Sequence, residues 1–241
     1  MSAFTVLDCD NHLLAVEKPA GLPVVPDASG DESLFDLARA WVAREFAKPG
    51  AVFLGVVHRL DRPVSGIVLF ARTSKAAARL SEQWRAHTAR KLYLGVGEGR
   101  PSADSGEHVE HLVKDEARNV VRAVRAETPG AREARTRWRV LATESGRTLY
   151  EFEPLTGRSH QLRHCAASLG TPLVGDVKYG ARDPLDGVRI ALHAARLTVR
   201  HPTRPIARTY ASIPPREEGW ELAHALRETA PRAVVDAPIE A

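Results

Sequence analysis

No part of this chain keeps one hydrophobic period for long. Alternating or apolar runs such as VLDCDNHLLAVEK near the start and RTRWRVLATESGRTLYEFEP (Arg135–Pro154) are mixed with segments whose apolar residues recur at helical spacing. Period 2 marks a half-buried strand and period 3.6 an amphipathic helix. A parallel sheet needs a helix at each crossover, hence regular strand–helix–strand alternation, and that order is missing here. The fold class expected is therefore α+β (mixed α/β), with a mostly antiparallel central mixed sheet flanked by helices and loops.

The punctuation supports this reading. Pro19, Gly21, Pro23 and Pro26 break the chain after an opening strand pair. Ser33 can cap a helix in which Leu34, Leu37, Ala38, Trp41, Val42 and Phe46 recur, with Pro49 and Gly50 at its end. AVFLGVV (Ala51–Val57) and IVLFA (Ile67–Ala71) read as buried strands on either side of HRLDRPVSG (His58–Gly66). Ser74 opens a second helix with Ala77, Leu80, Trp84 and His87 on one face, and KLYLGVG (Lys91–Gly97) is a further strand. The polar middle, 99–137, predicts short surface strands and loops. Glu144-Ser145-Gly146 predicts a hairpin turn. In TGRSHQLRHCAASLGTP, Ser159 can cap a helix that buries Leu162, Ala166 and Leu169 and stops at Gly170 and Pro172. One folded domain is expected over 1–215, followed over 216–241 by an acidic tail, helical in part around WELAHALRE and frayed beyond Pro231.

Charge narrows the partners. The net charge is +4; six acids and three arginines from Arg216 onward give −3, which leaves +7 on residues 1–215. His193–Tyr210 holds four arginines and no acid, so a polyanion is a plausible partner. No apolar run reaches the roughly 18–20 residues of a membrane helix, and the start lacks a basic, then apolar, leader. A soluble, unexported, cytoplasmic protein is expected. Cys9 and Cys165 stand in no paired metal spacing and read as reduced thiols.

Why would two arginines, a histidine and a lone aspartate interrupt two segments that both want burial? A turn anchored on rigid walls holds its side chains in place, which is how precise sites are made. The same Asp61 could also do no more than bond its own backbone near Pro63 and Gly66. Its company along the chain decides. VEKPAGLPVVP (Val16–Pro26), HRLDRPVSGIVLFA, KLYLGVGEG (Lys91–Gly99), TGRSHQLRHCAASLGTPLVGDVKYG (Thr156–Gly180) and LHAARLTVRHP (Leu192–Pro202) resemble, in order and spacing, the motifs of the RluA family of RNA pseudouridine synthases. The match departs from the family at Val64, where threonine is frequent, and at His164-Cys165, where an apolar residue and then histidine are usual.

The resemblance implies the pseudouridine synthase fold and an isomerisation: the uridine N1–C1′ bond breaks and a C5–C1′ bond forms on the same sugar. It implies no cofactor and no metal, and an RNA partner, ribosomal or transfer. Neither a membrane nor an obligate protein partner is implied. Many relatives carry a small RNA-binding domain ahead of this region, expected to be absent here. Asp61 matches the essential aspartate; it could add to the base, add to C1′, or remove a sugar proton. Enclosed by apolar walls its pKa would rise, so a cation is wanted, and Arg158 occupies the family position that supplies one. Tyr93 matches the tyrosine that lies against the base, and Arg59 the arginine that fills the gap left by the flipped nucleotide. His160, Gln161 and Arg163 follow a helix start that could receive phosphates. His160 and His164, with Cys165 alongside, have a spacing that could also hold zinc, but a third ligand is not evident.

Two other classes compete. A non-catalytic RNA-binding or RNA-folding module would keep the scaffold without turnover. A glycoside hydrolase generally needs two carboxylates flanking the bond, and only Asp61 stands out.

Overall fold

The computed structural model describes residues 3–47, 50–225 and 233–239. In chain order the first half contains β1 (Thr5–Cys9), β2 (Leu13–Lys18), α1 (Leu34–Glu45), β3 (Gly55–Val56), β4 (Ser65–Ala71), α2 (Ser74–Arg85), β5 (Arg90–Glu98) and β6 (Ser105–Asp115). The second contains β7 (Val120–Val124), β8 (Arg132–Glu144), β9 (Arg147–Pro154), α3 (Gln161–Ser168), a 3₁₀ turn at Val177–Tyr179, β10 (Leu192–Arg200), β11 (Ile206–Ala211), α4 (Glu221–Ala225) and β12 (Ala233–Pro238). The elements fall into two units, one of 1–90, 194–213 and 230–241, the other of 91–193 and 214–229.

In the first unit the sheet runs β1-β2-β4-β10, with β3 also on β4, β11 on β10 and β12 on β11. All seven residues of β4 are buried, as an unbroken apolar run covered on both faces should be. Ile67, Leu69 and Ala71 of β4 pack with Leu13 and Ala15 of β2, Leu197 and Val199 of β10, Tyr210 of β11, and Ala76 and Leu80 of α2. Ser33 caps α1 as the spacing predicts, its hydroxyl accepting the Asp36 N–H at 3.2 Å. Pro49, placed at that helix's end, lies outside the described residues. The cap of α2 is Thr73, which accepts the Ala76 N–H at 3.1 Å, and Ser74 sits inside the helix.

Two expectations change here. AVFLGVV is not a buried strand: only Leu54 is buried, Phe53 and Val56 are 49% and 40% exposed, and β3 is two residues long. The chain leaves the ladder early to form the HRLD turn. At the other end, 231–232 lie outside the described residues, but the following segment is a strand rather than a frayed end. It pairs with β11 from Ile206↔Pro238 to Ala211↔Ala233. The Arg208↔Asp236 pair within that register explains it: the guanidinium donates to both Asp236 oxygens at 2.7 and 2.8 Å and reaches Asp8 and Asp10 at 3.1 and 2.9 Å. Buried and fully engaged, Arg208 joins β1 and β12 to β11.

In the second unit β5-β9-β8-β6-β7 is antiparallel in every pair. The β8–β9 hairpin closes where predicted, with Ser145 and Gly146 both left-handed at φ 51° and 72°, as a two-residue turn matching the strand twist requires. The middle region forms two long strands, β6 and β8 of 11 and 13 residues, with the five-residue β7 between them. Its polarity reflects one solvent-facing side of a sheet: Arg135 donates to Glu107 at 2.6 and 3.0 Å, Arg137 to the same carboxylate at 3.2 Å, and Arg139 to Glu151 at 2.7 Å. The opposite face buries Ala134, Thr136, Trp138, Tyr150 and Phe152, and α3 lays Leu162, Cys165 and Ala166 inward. The cap of α3 is His160, left-handed at φ 51°, and not Ser159. A second core joins Val96, Leu149, Val174, Leu185 and Ala191 to Trp220, Leu222 and Ala223 around α4. Among the described residues no helix is long and apolar enough to cross a membrane.

Candidate active site

The HRLD turn begins where the β3–β4 ladder ends. Gly55↔Ala71 and Val56↔Phe70 are its last pairs, and the next amide in line, Leu69 N–H, donates to the imidazole Nε2 of His58 at 2.9 Å. A ring nitrogen that accepts carries no proton, so this bond places the His58 hydrogen on Nδ1. The ring stacks on Trp84 with centroids 4.8 Å apart. One side chain thus replaces a rung of the sheet, and the backbone departs without orphaning a buried amide.

The turn's other end is braced by Lys18 and Arg62. Lys18 is fully buried at the end of β2, and its ammonium donates to the carbonyls of Leu22, Pro19 and Arg62 at 2.8, 2.9 and 3.1 Å. Three acceptors suit the three N–H bonds of an ammonium. Burial pushes its pKa down to about 7, against the upward pull of the Asp61 carboxylate. Arg62 accepts the Gly21 N–H at 2.8 Å, returns a bond from Nε to the Gly21 carbonyl at 2.9 Å, and pairs with Asp31. Within the turn the Val64 N–H donates to the Asp61 carbonyl at 3.1 Å. Leu60 and Val64 are buried and anchor it, while Arg59 and Asp61 stay partly exposed. The Asp61 carboxylate is therefore carried by a fixed backbone, with a buried cation in the same unit that the motifs did not point to.

The remaining expected residues belong to the second unit. Tyr93 sits on β5 opposite Phe152 of β9. Arg158 lies in the loop between β9 and α3, its Nε donating to the Glu133 carbonyl at 2.8 Å and its N–H to Gln161 Oε1 at 3.0 Å. Gln161 is spent on that loop: Oε1 also accepts the Thr156 hydroxyl at 2.7 Å, and Nε2 donates to the Arg135 carbonyl at 2.8 Å and to Thr136 at 2.9 Å.

His160 and Arg163 turn inward as well. The Tyr179 hydroxyl accepts the Val121 N–H at 2.8 Å and meets His160 Nδ1 at 2.8 Å. Arg163, 5% exposed, donates to both oxygens of buried Asp176 at 2.6 and 2.7 Å. Where phosphate contacts were expected, these three side chains tie the Arg158 loop, α3 and the 3₁₀ turn together. The charge pattern of a helix start does not reveal which way its side chains face. His164, four residues from His160, has a different partner, Glu110, at 2.8 Å. Despite burial, bonds from His108 and His164 hold that carboxylate down to about 2.

Sequence reasoning missed Lys18 and the acceptor role of His58. Lys18 stands within VEKPAGLPVVP at the end of a strand pattern, where a buried charge must find partners.

Known proteins share this pattern. The model of the RNA pseudouridylate synthase family matches residues 12–168. An uncharacterised RNA pseudouridine synthase of Zymomonas mobilis is 38% identical over 195 residues, covering 80% of this chain and 86% of that protein. A ribosomal large subunit pseudouridine synthase C of Vibrio parahaemolyticus is 32% identical over 200 residues, 80% of this chain but 60% of that protein. The solved structure of human RNA pseudouridylate synthase domain containing 4 shares the fold at 24% identity, with a TM-score of 0.76 and 95% of each chain covered.

Proposed function

The chain belongs to the RNA pseudouridylate synthase family, isomerases that convert uridine in RNA to pseudouridine, and from this we propose that it modifies ribosomal or transfer RNA through Asp61. The observation that carries the choice of Asp61 is the bracing of its turn by Lys18 and His58, which fixes a partly exposed carboxylate on a rigid backbone. Whether the carboxylate adds to the base, adds to C1′ or removes a sugar proton, it must be ionised, and the Lys18 ammonium favours that form.

The motif match assigns the other roles. Arg158 is the guanidinium for the carboxylate, Tyr93 the ring against the target base, and Arg59 the cation that offsets part of the few kcal/mol of base extrusion. His160, Gln161 and Arg163 serve RNA by holding the Arg158 loop, since His160 Nδ1, the Gln161 amide and two of the Arg163 guanidinium nitrogens already have partners. Breaking N1–C1′ and forming C5–C1′, with the C5 proton lost and a proton gained at N1, involves neither a redox step nor a phosphate transfer, so the reaction as written calls for no cofactor. Arg196 and Arg200, exposed on one face of β10, extend the surface for the RNA backbone. This reading places the protein in the cytoplasm, with RNA as its partner and no membrane or obligate protein partner.

The test is tritium release from a 5-³H-uridine transcript. Asp61→Asn and Asp61→Ala are expected to lower release at least about 1,000-fold while RNA binding stays within about threefold. Release at the wild-type rate in either variant overturns the assignment, and free uracil among the products would make the protein a hydrolase.

A further inference from the structure

Lys91 and Tyr93 stand two residues apart in β5, so their side chains leave the same face of the strand. The Lys91 ammonium lies beside the Arg158 loop: a Cβ built on Gly157 would meet Lys91 Nζ at 4.0 Å and nothing nearer. Glycine at 157 thus leaves open space next to the cation. Lys91 is largely buried, and burial lowers its pKa. Among the described residues no carboxylate, carbonyl or hydroxyl accepts from its ammonium.

Several other cations have acceptors. Lys18 has three carbonyls, Arg163 has Asp176, and Arg135, Arg137 and Arg139 share Glu107 and Glu151. The stem of Lys91 is largely covered, but its Nζ is not among the fully buried atoms that lack a partner, so the ammonium is poorly hydrated and yet open to an arriving anion. The anion that RNA offers is its phosphodiester, and lysine binds phosphate as a compact point charge.

We infer that Lys91 binds a backbone phosphodiester of the RNA beside the target uridine, on the strand face that carries Tyr93. The inference rests on the functional reading above, and it adds a contact that the motifs did not assign.

The test uses the full chain with Lys91→Met and Lys91→Arg. Affinity for a fluorescein-labelled 20-nucleotide RNA stem–loop is read by anisotropy between 50 and 200 mM KCl. Lys91→Met is expected to weaken binding about tenfold and to flatten the slope of log K against log salt by about 0.7–0.9, the share of one phosphate. Lys91→Arg should return to within about threefold of wild type. Lys91→Met should also melt at the wild-type temperature or a few degrees above it, because the apolar stem stays and an unpaired charge goes. With a transcript that turns over, the loss should appear in KM, with kcat lowered less than about threefold.

Wild-type affinity and slope in Lys91→Met, an arginine variant as weak as the methionine one, or a melting point that drops along with affinity would each overturn the inference. No tritium release by the wild-type protein counts against the functional reading alone, because affinity, slope and melting do not pass through turnover.

Discussion

Gly66, the last residue of the HRLDRPVSG stretch, packs directly on the backbone of Ala194: a Cβ there would lie 2.5 Å from the Ala194 nitrogen, 2.8 Å from its carbonyl carbon and closer still to the oxygen. Its φ of +115° is open to glycine and strained for other residues. The turn that presents Asp61 can therefore rejoin β4 beside β10 only through a residue with no side chain.

Gly66→Ala is expected to destabilise the protein by about 3 kcal/mol or more, since backbone clash and left-handed strain add. Urea unfolding reads this directly. A midpoint equal to wild type would mean that β10 is free to move aside.

His58→Phe keeps a ring on Trp84 and removes the acceptor for the Leu69 N–H, leaving a buried amide without its imidazole partner. The cost should be about 1–3 kcal/mol, with faster exchange of the Leu69 amide and slower tritium release. His58→Gln, whose amide oxygen can reach the position of Nε2, should recover part of each. Equal behaviour of the two variants would rule out the hydrogen bond as the cause.

Acid should find Asp10. Burial raises its pKa, but bonds from the His12 and Leu13 N–H groups and from His201 outweigh that and bring it to about 2 from 3.8. A depressed carboxylate stabilises the fold above the unfolded value, and the contribution is lost as pH falls through the folded one. After allowance for partial exposure, Asp10→Asn should cost about 1–2 kcal/mol at pH 7. The gap between the variant and wild type should shrink from about pH 4 down to about pH 2. Denaturation curves at pH 7, 4 and 2.5 check the sign, and a gap that widens on acidification would contradict it.

Local chemistry made much of this fold legible. Ser33 and the Ser145-Gly146 pair act within three or four residues of themselves, so the α1 cap and the β8–β9 turn follow from the string alone. Ser74 opens α2 as its position suggests, whereas α3 starts after His160 and not after Ser159, with no side-chain cap, because the left-handed backbone at 160 sets that start. The middle region misled because a sheet with one wet face is as polar as a loop unless its alternation is followed through Glu107, Arg135 and Arg137. Asp61, Tyr93 and Arg158 could be named from their motifs. The inward commitments of Gln161 and Arg163 could not, since Thr136 lies 25 residues away on another strand and Asp176 is 13 residues further along the chain.

The interleaved path of the chain also bears on synthesis. β4 needs β10 at its side, yet the ribosome must first add residues 72–191, at about 5–20 residues per second a wait of roughly 6–24 s. Meanwhile an unbroken apolar segment, SGIVLFA, has an open edge on the nascent polypeptide, the kind of surface that recruits chaperones or sticks to its own kind. For this protein, yield in a cell should be governed less by the strength of the finished fold than by how well that interval is guarded.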